Sequence, residues 1–370
     1  MKIIEVTSKK LLRDFIKLPF EIHKDHKLWV PPLLADEKLY FDQNKNIAFK
    51  KNETVLLVVI DDQKCVGRVM GIINSDYNQK QNELTARFGF LDYYKNENVF
   101  NVLMESVESW ARNKGMNKIV GPMGFSDQDP EGFIIEGYDL EPSIATYFNY
   151  EYIPIMLESK GYSKEVDYVV YLIDLNKPIP SIHKKIFQRF IERTNLKLLT
   201  FTSKRELKPF IVPIMHLMNE TFANLYGYNP LTQEEIDFTV KRFWPLINPR
   251  FVFAAEDKSQ LVGFIIGIPN MNEGFRACKG KLFPFGISKL ISAAKKSKQL
   301  DLLIAGIKSE YRGMGLDVWG MISMINSAKK AGFTLMDSHH ELETNTRVRV
   351  EMERIGGTLE KRFRIYKKLL

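Results

Sequence analysis

The chain has 370 residues, 45% of them hydrophobic and 26% charged, with a formal net charge of +8 at pH 7 and two cysteines, Cys65 and Cys278. That length is too great for one ordinary core and suits two domains of about 150 to 200 residues each, while the composition is that of a soluble globular protein. The cysteines stand at no metal or redox spacing, no apolar run approaches a membrane span, and the start is unlike a signal peptide; these features argue against a disulfide scaffold or a thiolate zinc site, and a cytoplasmic protein is expected.

In chain order, residues 2–7, 54–60, 65–73 and 86–93 read as strands, with Asp61-Asp62-Gln63-Lys64 as a polar turn. Residues 99–113 read as an amphipathic helix ending before Gly115, 118–121 as a short buried strand, 151–160 as a helix stopped by Gly161, and 167–174 as a closing strand. Asn176-Lys177-Pro178-Ile179-Pro180 is the expected linker, because two prolines interrupt any regular element. The pattern then starts again: a strand at 196–202, a helical stretch to Tyr226, a helix at 232–246, and strands at 251–256 and 260–268. After a basic insertion come a strand at 302–307, a glycine turn, a helix to Lys330, a strand at 334–340, a helix at 346–354 and a strand at 358–367.

The recurrence is visible in the residues themselves. Positions 6–16 lie over 201–211 with six identities in eleven, and Val66, Gly67, Gly71, Ile72 and Asn74 match Val262, Gly263, Gly267, Ile268 and Asn270 at almost the same offset. Two separate matches in register mark an internal repeat. The expected division is a first domain at 1–175, a linker and helix at 176–195, and a second domain at 196–370.

Tyr311-Arg312-Gly313-Met314-Gly315-Leu316 sits between an apolar run and a helical segment. In a strand, glycine loop and helix of this kind the backbone approaches a ligand closely, and the amides of the helix start face an anion, typically a pyrophosphate. No Lys-Ser or Lys-Thr follows, which excludes a Walker-type nucleotide loop.

Arg312, Gly313, Met314 and Gly315 fit the glycine turn of the GNAT superfamily of N-acetyltransferases, which the second half resembles. The whole chain looks like a tandem of two such folds, the first lacking the cofactor motif. The resemblance implies an α/β (α+β) protein in which each copy is a mixed, mostly antiparallel sheet flanked by helices. It also implies an acyl-CoA co-substrate, acetyl-CoA in the simplest case, attacked directly by an acceptor amine. By the same resemblance the pantetheine arm would lie along the backbone of Leu303, Ile304, Ala305, Gly306 and Ile307, the pyrophosphate would meet the amides of Arg312, Gly313, Met314, Gly315 and Leu316, and Asn345 would join the cofactor site. Two positions depart from the family pattern. Asp317 stands where Gly or Ala is usual and sets a like charge beside the phosphates, and Met352 stands where a tyrosine often protonates the leaving thiolate.

Candidate general bases are His339, His340, Glu341 and Glu343, at and just beyond the fifth strand of the second half, with His339 and Glu341 on one face and His340 on the other. The alternative is that one histidine is a hydrogen-bonded core residue and the carboxylates are surface. The expected activity is acyl-CoA-dependent N-acylation of a small-molecule or peptide amine. The alternatives are a non-catalytic GNAT-fold binding protein and an aminoacyl-tRNA-dependent peptidyl transferase, the latter resting on basic charge alone. Lysine and arginine are mixed with acids nearly everywhere, so nucleic acid is not an expected partner; the oligomeric state is open, because a tandem can replace a dimer internally.

Four further clusters take plainer readings. His23 and His26 read as surface residues, the acids of 126–132 as a long turn, and the aromatic run 147–152 as packing. From Arg276 to Lys298 seven cations meet no acid; this insertion reads as a solvated face, the alternative being an acidic or membrane-associated partner that also meets Phe283, Phe285, Ile287 and Leu290.

Overall fold

The structure is a computed structural model that describes residues 1–370. The first half runs β1 (Lys2–Glu5), α1 (Lys9–Ile22), α2 (Leu34–Tyr40), α3 (Ala48–Lys51), β2 (Asn52–Asp61), β3 (Lys64–Asn74), α4 (Ser75–Gln81), β4 (Thr85–Tyr93), α5 (Glu97–Asn113), β5 (Lys118–Gly121), β6 (Phe133–Glu136), α6 (Tyr152–Ser159) and β7 (Ser163–Asp174). The second half runs α7 (Ser181–Arg193), β8 (Lys197–Thr200), α8 (Lys204–Phe222), α9 (Gln233–Phe243), β9 (Val252–Asp257), β10 (Gln260–Pro269), α10 (Asn272–Cys278), α11 (Gly286–Lys296), β11 (Gln299–Ile307), α12 (Leu316–Lys330), β12 (Leu335–Asp337), β13 (Glu341–Leu342), α13 (Thr346–Arg354) and β14 (Gly357–Leu369). No helix is long and apolar enough to cross a membrane.

The repeated Thr-Ser-Lys is a helix start in both copies. Ser8 accepts from the Leu11 amide at 3.2 Å to cap α1, and Ser203 accepts from the Glu206 amide at 3.3 Å to cap α8. The repeated glycines admit a helix against the sheet. A Cβ at Gly67 would lie 2.6 Å from Val99 Cγ1 of α5, and one at Gly263 would lie 2.9 Å from Leu316 Cδ2 of α12.

Two compact units form. Unit 1 contains Met1–Tyr168, Asn272–Ser292 and Lys361–Leu370, and unit 2 contains Val169–Met271 and Ala293–Glu360. In unit 1 the strands lie in the order β1-β2-β3-β4-β5, and the end of β14 adds to β5 with Tyr366 opposite Gly121. In unit 2 the order is β8-β9-β10-β11-β12, and the end of β7 adds to β12 with Asp174 opposite Leu335. Only β4 with β5 and β11 with β12 run parallel within these orders, so each sheet is mixed and mostly antiparallel. A linear cut at residues 175 and 196 separates the repeats in sequence, whereas each compact unit takes in a strand from the other half of the chain.

Strand alternation fills both faces of each sheet. In β2, Val55, Leu57 and Val59 join the core under α5, while Leu56 and Val58 face Phe15 and Phe41. In β9, Phe253 and Ala255 join Trp319 and Met324 of α12, while Val252 and Ala254 face Leu207 and Ile214 of α8. Each such buried valine, leucine or phenylalanine side chain contributes about 1.5–3 kcal/mol. The acid-rich segment leads into β6, and the basic insertion holds α10 and α11, both beyond the elements expected there.

Candidate functional site

In unit 2, β11 and β12 pair over three positions only, Gln299 with Leu335, Leu300 with Met336 and Asp301 with Asp337. There β12 stops, three residues short of the expected strand. The Asp337 carboxylate accepts the His339 amide at 2.7 Å, and His339 takes a left-handed φ of 60°, so the extended run cannot continue. This removes the expected alternation that put His339 and Glu341 on one face.

β11 continues to Ile307, held along its other edge by β10 as far as Gly263. From Leu302 to Ile307 no strand pairs with the edge that faced β12. Ile266 is opposite Ile304 and Gly267 is opposite Leu302, so Leu303 is the extra residue of a bulge that re-aims the backbone at this point. Leu303 and Ile304 pack on the core below α8, Ile307 packs on the core below α12, Gly306 is buried and Ala305 is exposed. Where the strands part, Asp301 and Asp337 are both fully buried. Gln299 Nε2 donates to Asp301 Oδ1 at 2.8 Å and to Asp337 Oδ2 at 3.5 Å, and Asn270 Nδ2 donates to Asp301 Oδ2 at 2.9 Å, which offsets the cost of burying both carboxylates.

The glycine turn follows β11. Gly313 and Gly315 have φ of 77° and 98°, and Gly315 begins α12 with no side chain capping the helix. The amides of Gly313, Met314, Gly315 and Leu316 reach no acceptor within the chain. Arg312 Nε donates to the Ile307 carbonyl at 3.0 Å, and a Cβ at Gly313 would lie 3.2 Å from Arg347 Nη2, so one guanidinium holds the end of β11 and another stands beside the turn. Such a turn fits a phosphate, because orphan helix-start amides and the helix dipole both favour an anion. Asp317 turns its Oδ1 to the Val318 amide at 3.0 Å, a bond within the first turn of the helix.

Beyond β12, the rings of His339 and His340 stand 5.2 Å apart. Glu341, half-buried in the two-residue β13, has its carboxyl pushed up to about 8 by burial, which places its proton exchange in the neutral range. The Glu343 carbonyl accepts from Arg349 Nη1 at 3.0 Å. Asn345 caps α13, its Oδ1 taking the Val348 amide at 3.5 Å, and Met352 is buried in the core under α12. A phenol in this network is that of Tyr171, whose hydroxyl donates to Glu353 Oε1 at 2.8 Å and accepts from Arg349 Nε at 3.0 Å.

No family model matches the sequence. Among curated proteins the chain is 27% identical to a bacterial ceramide synthase of Caulobacter vibrioides over 379 residues, covering 100% of this chain and 98% of that one. It is 25% identical over 381 residues to the protein YghO of Escherichia coli, covering 98% and 93%. Among solved structures it superposes on a tandem GNAT protein of the clavulanic acid biosynthesis pathway with a TM-score of 0.56 at 12% identity, covering 100% and 98% of the two chains. The fold is a tandem GNAT fold.

The first GNAT copy is built differently at the same place. β4 and β5 pair from Thr85 with Lys118 to Arg87 with Val120, but the Met123 amide then donates to the Phe88 carbonyl at 2.9 Å and keeps the two backbones together. The bulge of β4 carries Phe90 at φ 52°, and its amide donates to the Tyr147 hydroxyl at 3.2 Å. The amides at the start of α5 are taken by Asn96 Oδ1, which accepts from Asn98 and Val99 at 2.9 and 3.3 Å.

Two plainer readings need amendment in this copy. His23 is a core residue: its Nε2 bonds Asp92 Oδ1 at 3.1 Å, its Nδ1 meets His26 Nδ1 at 3.2 Å, and its ring stacks on Trp29 and Tyr150. Burial and the neighbouring His23 push the His26 imidazole down to about 4. The turn acids are also partly internal. Burial drives Asp127 up to about 7 and Glu131 well above the carboxylate range. Tyr147 and Tyr150, by contrast, pack and hydrogen-bond as expected of that aromatic run.

Proposed function

We propose that the chain is an acyl-CoA-dependent N-acyltransferase whose acceptor is the primary amine of a long-chain amino alcohol, giving an N-acylated sphingoid base. The observation that carries the acyl-CoA part is the β11 edge without a partner strand beside a glycine turn with free amides and two arginines. The acceptor class is supported by the end-to-end similarity to the bacterial ceramide synthase of Caulobacter vibrioides.

In this reading the backbone of Leu303, Ile304, Ala305, Gly306 and Ile307 aligns the pantetheine arm, and Gly313, Met314, Gly315 and Leu316 hold the pyrophosphate with Arg312 and Arg347 beside them. The amine nitrogen bonds to the thioester carbonyl carbon, the carbon–sulfur bond breaks, and the thiolate leaves to become free thiol. Glu341 takes the proton that the nitrogen sheds, because a carboxyl near 8 exchanges protons readily close to neutral pH. His339 and His340 are the next candidates for that role. Met352 is core, so the thiolate's proton comes from another group or from water.

Purified protein incubated with palmitoyl-CoA and sphinganine should release free thiol and form the amide, read by mass spectrometry, and acetyl-CoA should be the poorer donor. Equal rates with acetyl-CoA and a short amine would overturn the acceptor and donor class. Tight acyl-CoA binding without thiol release from any amine would instead establish a binding protein.

A further inference from the structure

We propose that the insertion between β10 and β11 is a membrane-docking element that seats the protein on an anionic lipid bilayer. The internal repeat shows that the sheet does not need this insertion. In the first copy the connection from Asn74 to β4 is α4 alone, whereas from Asn270 to β11 the chain adds α10, a loop and α11.

The base of the insertion is pinned firmly. Arg276 Nη2 forks onto Glu141 at 2.9 and 3.0 Å, Asn272 Nδ2 donates to the Pro142 carbonyl at 2.7 Å, and the Gly280 carbonyl accepts the Leu34 amide at 2.8 Å. Its tip is the reverse. Phe283 is 89% exposed and Phe285 70% exposed, the most solvent-facing aromatic side chains among the exposed large hydrophobics of the chain. In α11, Leu290 and Ala293 point inward, which corrects the reading of Leu290 as a contact residue. Ile287 and Ile291, one helical turn apart, point outward at 59% and 51% exposure.

Two phenylalanines and two isoleucines left in water on a pinned support have the form of an apolar wedge. The charge selects the occupant. Lys279 and Lys281, just before the phenylalanines, and Lys295 and Lys296, at the end of α11, are exposed, and no acidic residue occurs between Arg276 and Lys298. An anionic bilayer offers what this surface lacks, a plane of negative headgroups above an apolar layer that admits aromatic side chains by several ångströms. A protein surface would need one matching apolar socket under a rim of acids, and each lysine near an anionic membrane adds about fivefold to binding by itself. The proposal concerns where the protein sits and is independent of the reaction assigned to it.

The test is flotation of the full chain with vesicles of phosphatidylcholine alone or containing about 30 mol% phosphatidylglycerol. The expected result is co-flotation with the anionic vesicles only, weakened by salt, lost by at least about tenfold in Phe283→Ser/Phe285→Ser and reduced in Lys281→Glu/Lys295→Glu. Phe285→Trp, which keeps the wedge, should still float and should shift its emission to the blue on adding anionic vesicles. Equal binding to neutral vesicles, no binding to either, or unchanged flotation of the double serine variant would overturn the proposal. So would a concentration-dependent dimer that the serine variant abolishes while vesicle binding stays absent. Unchanged thermal unfolding of the variants confirms that they are folded.

Discussion

The two GNAT copies put the same three devices at the same place, a parallel strand pair that parts, a bulge in the first strand and a helix start after it, and they finish them in opposite ways. In unit 1 the chain supplies its own partners: Met123 bonds Phe88 across the parting strands, Tyr147 takes the bulge amide and Asn96 caps α5. In unit 2 β12 turns away at His339, and the start of α12 is a glycine without a cap. Backbone polar groups demand partners in a folded protein, and the first copy meets that demand within the chain, whereas in the second it is the proposed ligand that would meet it.

The largest effect should come from the chemistry of unit 2. Glu341→Gln should lower kcat by about 10²- to 10⁴-fold with little change in acyl-CoA affinity, as steady-state and binding measurements would show. Its pH signature is separate from activity. The folded carboxyl is raised from 4.5 to about 8, so the folded state holds a proton that the unfolded state has lost, and stability falls as pH rises through that window. The Gln variant should therefore melt higher than the parent at pH 9 and lose this slope; parallel melting curves would show that Glu341 is not the group responsible.

Next is the turn. Gly315→Val forces a β-branched residue to φ 98° beside Phe190, whose Cβ lies 3.4 Å from the added carbon. It should cost about 1–3 kcal/mol of stability and abolish acyl-CoA binding by calorimetry, and retention of micromolar affinity would separate the turn from the ligand. The mirror experiment in unit 1 is smaller. Asn96→Ala should cost about 1 kcal/mol in denaturant unfolding and leave acyl-CoA affinity untouched, whereas a weakened affinity would mean that the first copy also binds. The smallest change is Asp317→Asn. Removing the like charge should tighten acyl-CoA binding by roughly 2- to 5-fold at low salt, an effect that vanishes as salt rises.

Much of the fold was legible because it rests on local pattern. Apolar runs such as 54–60, the repeated residues of 6–16 and 201–211 and the two glycines of the turn announce strand, duplicated architecture and close backbone approach from the residues alone. The end of β12 was not legible, because it depends on one carboxylate choosing a backbone amide two residues on. Nor were the partners of β7 and β14, since pairing across 160 or more residues leaves no trace in local periodicity. The candidate site divides the same way. Gly313 and Gly315 stood out by spacing, while Arg347 comes to the turn through the folding of α13 and Glu341 acquires its proton affinity from burial.

The exchange of strands reorders the birth of the molecule. Residues 361–370 complete the sheet of unit 1, with Tyr366 opposite Gly121 and Arg364 forking onto Asp167 at 2.8 and 3.0 Å. On the ribosome the first copy emerges first yet must wait, with the edge of β5 exposed, until almost the whole second copy has been made. Vectorial synthesis thus delivers the strand that closes the first unit only after nearly all of the second copy, and until it arrives β5 carries an open sheet edge.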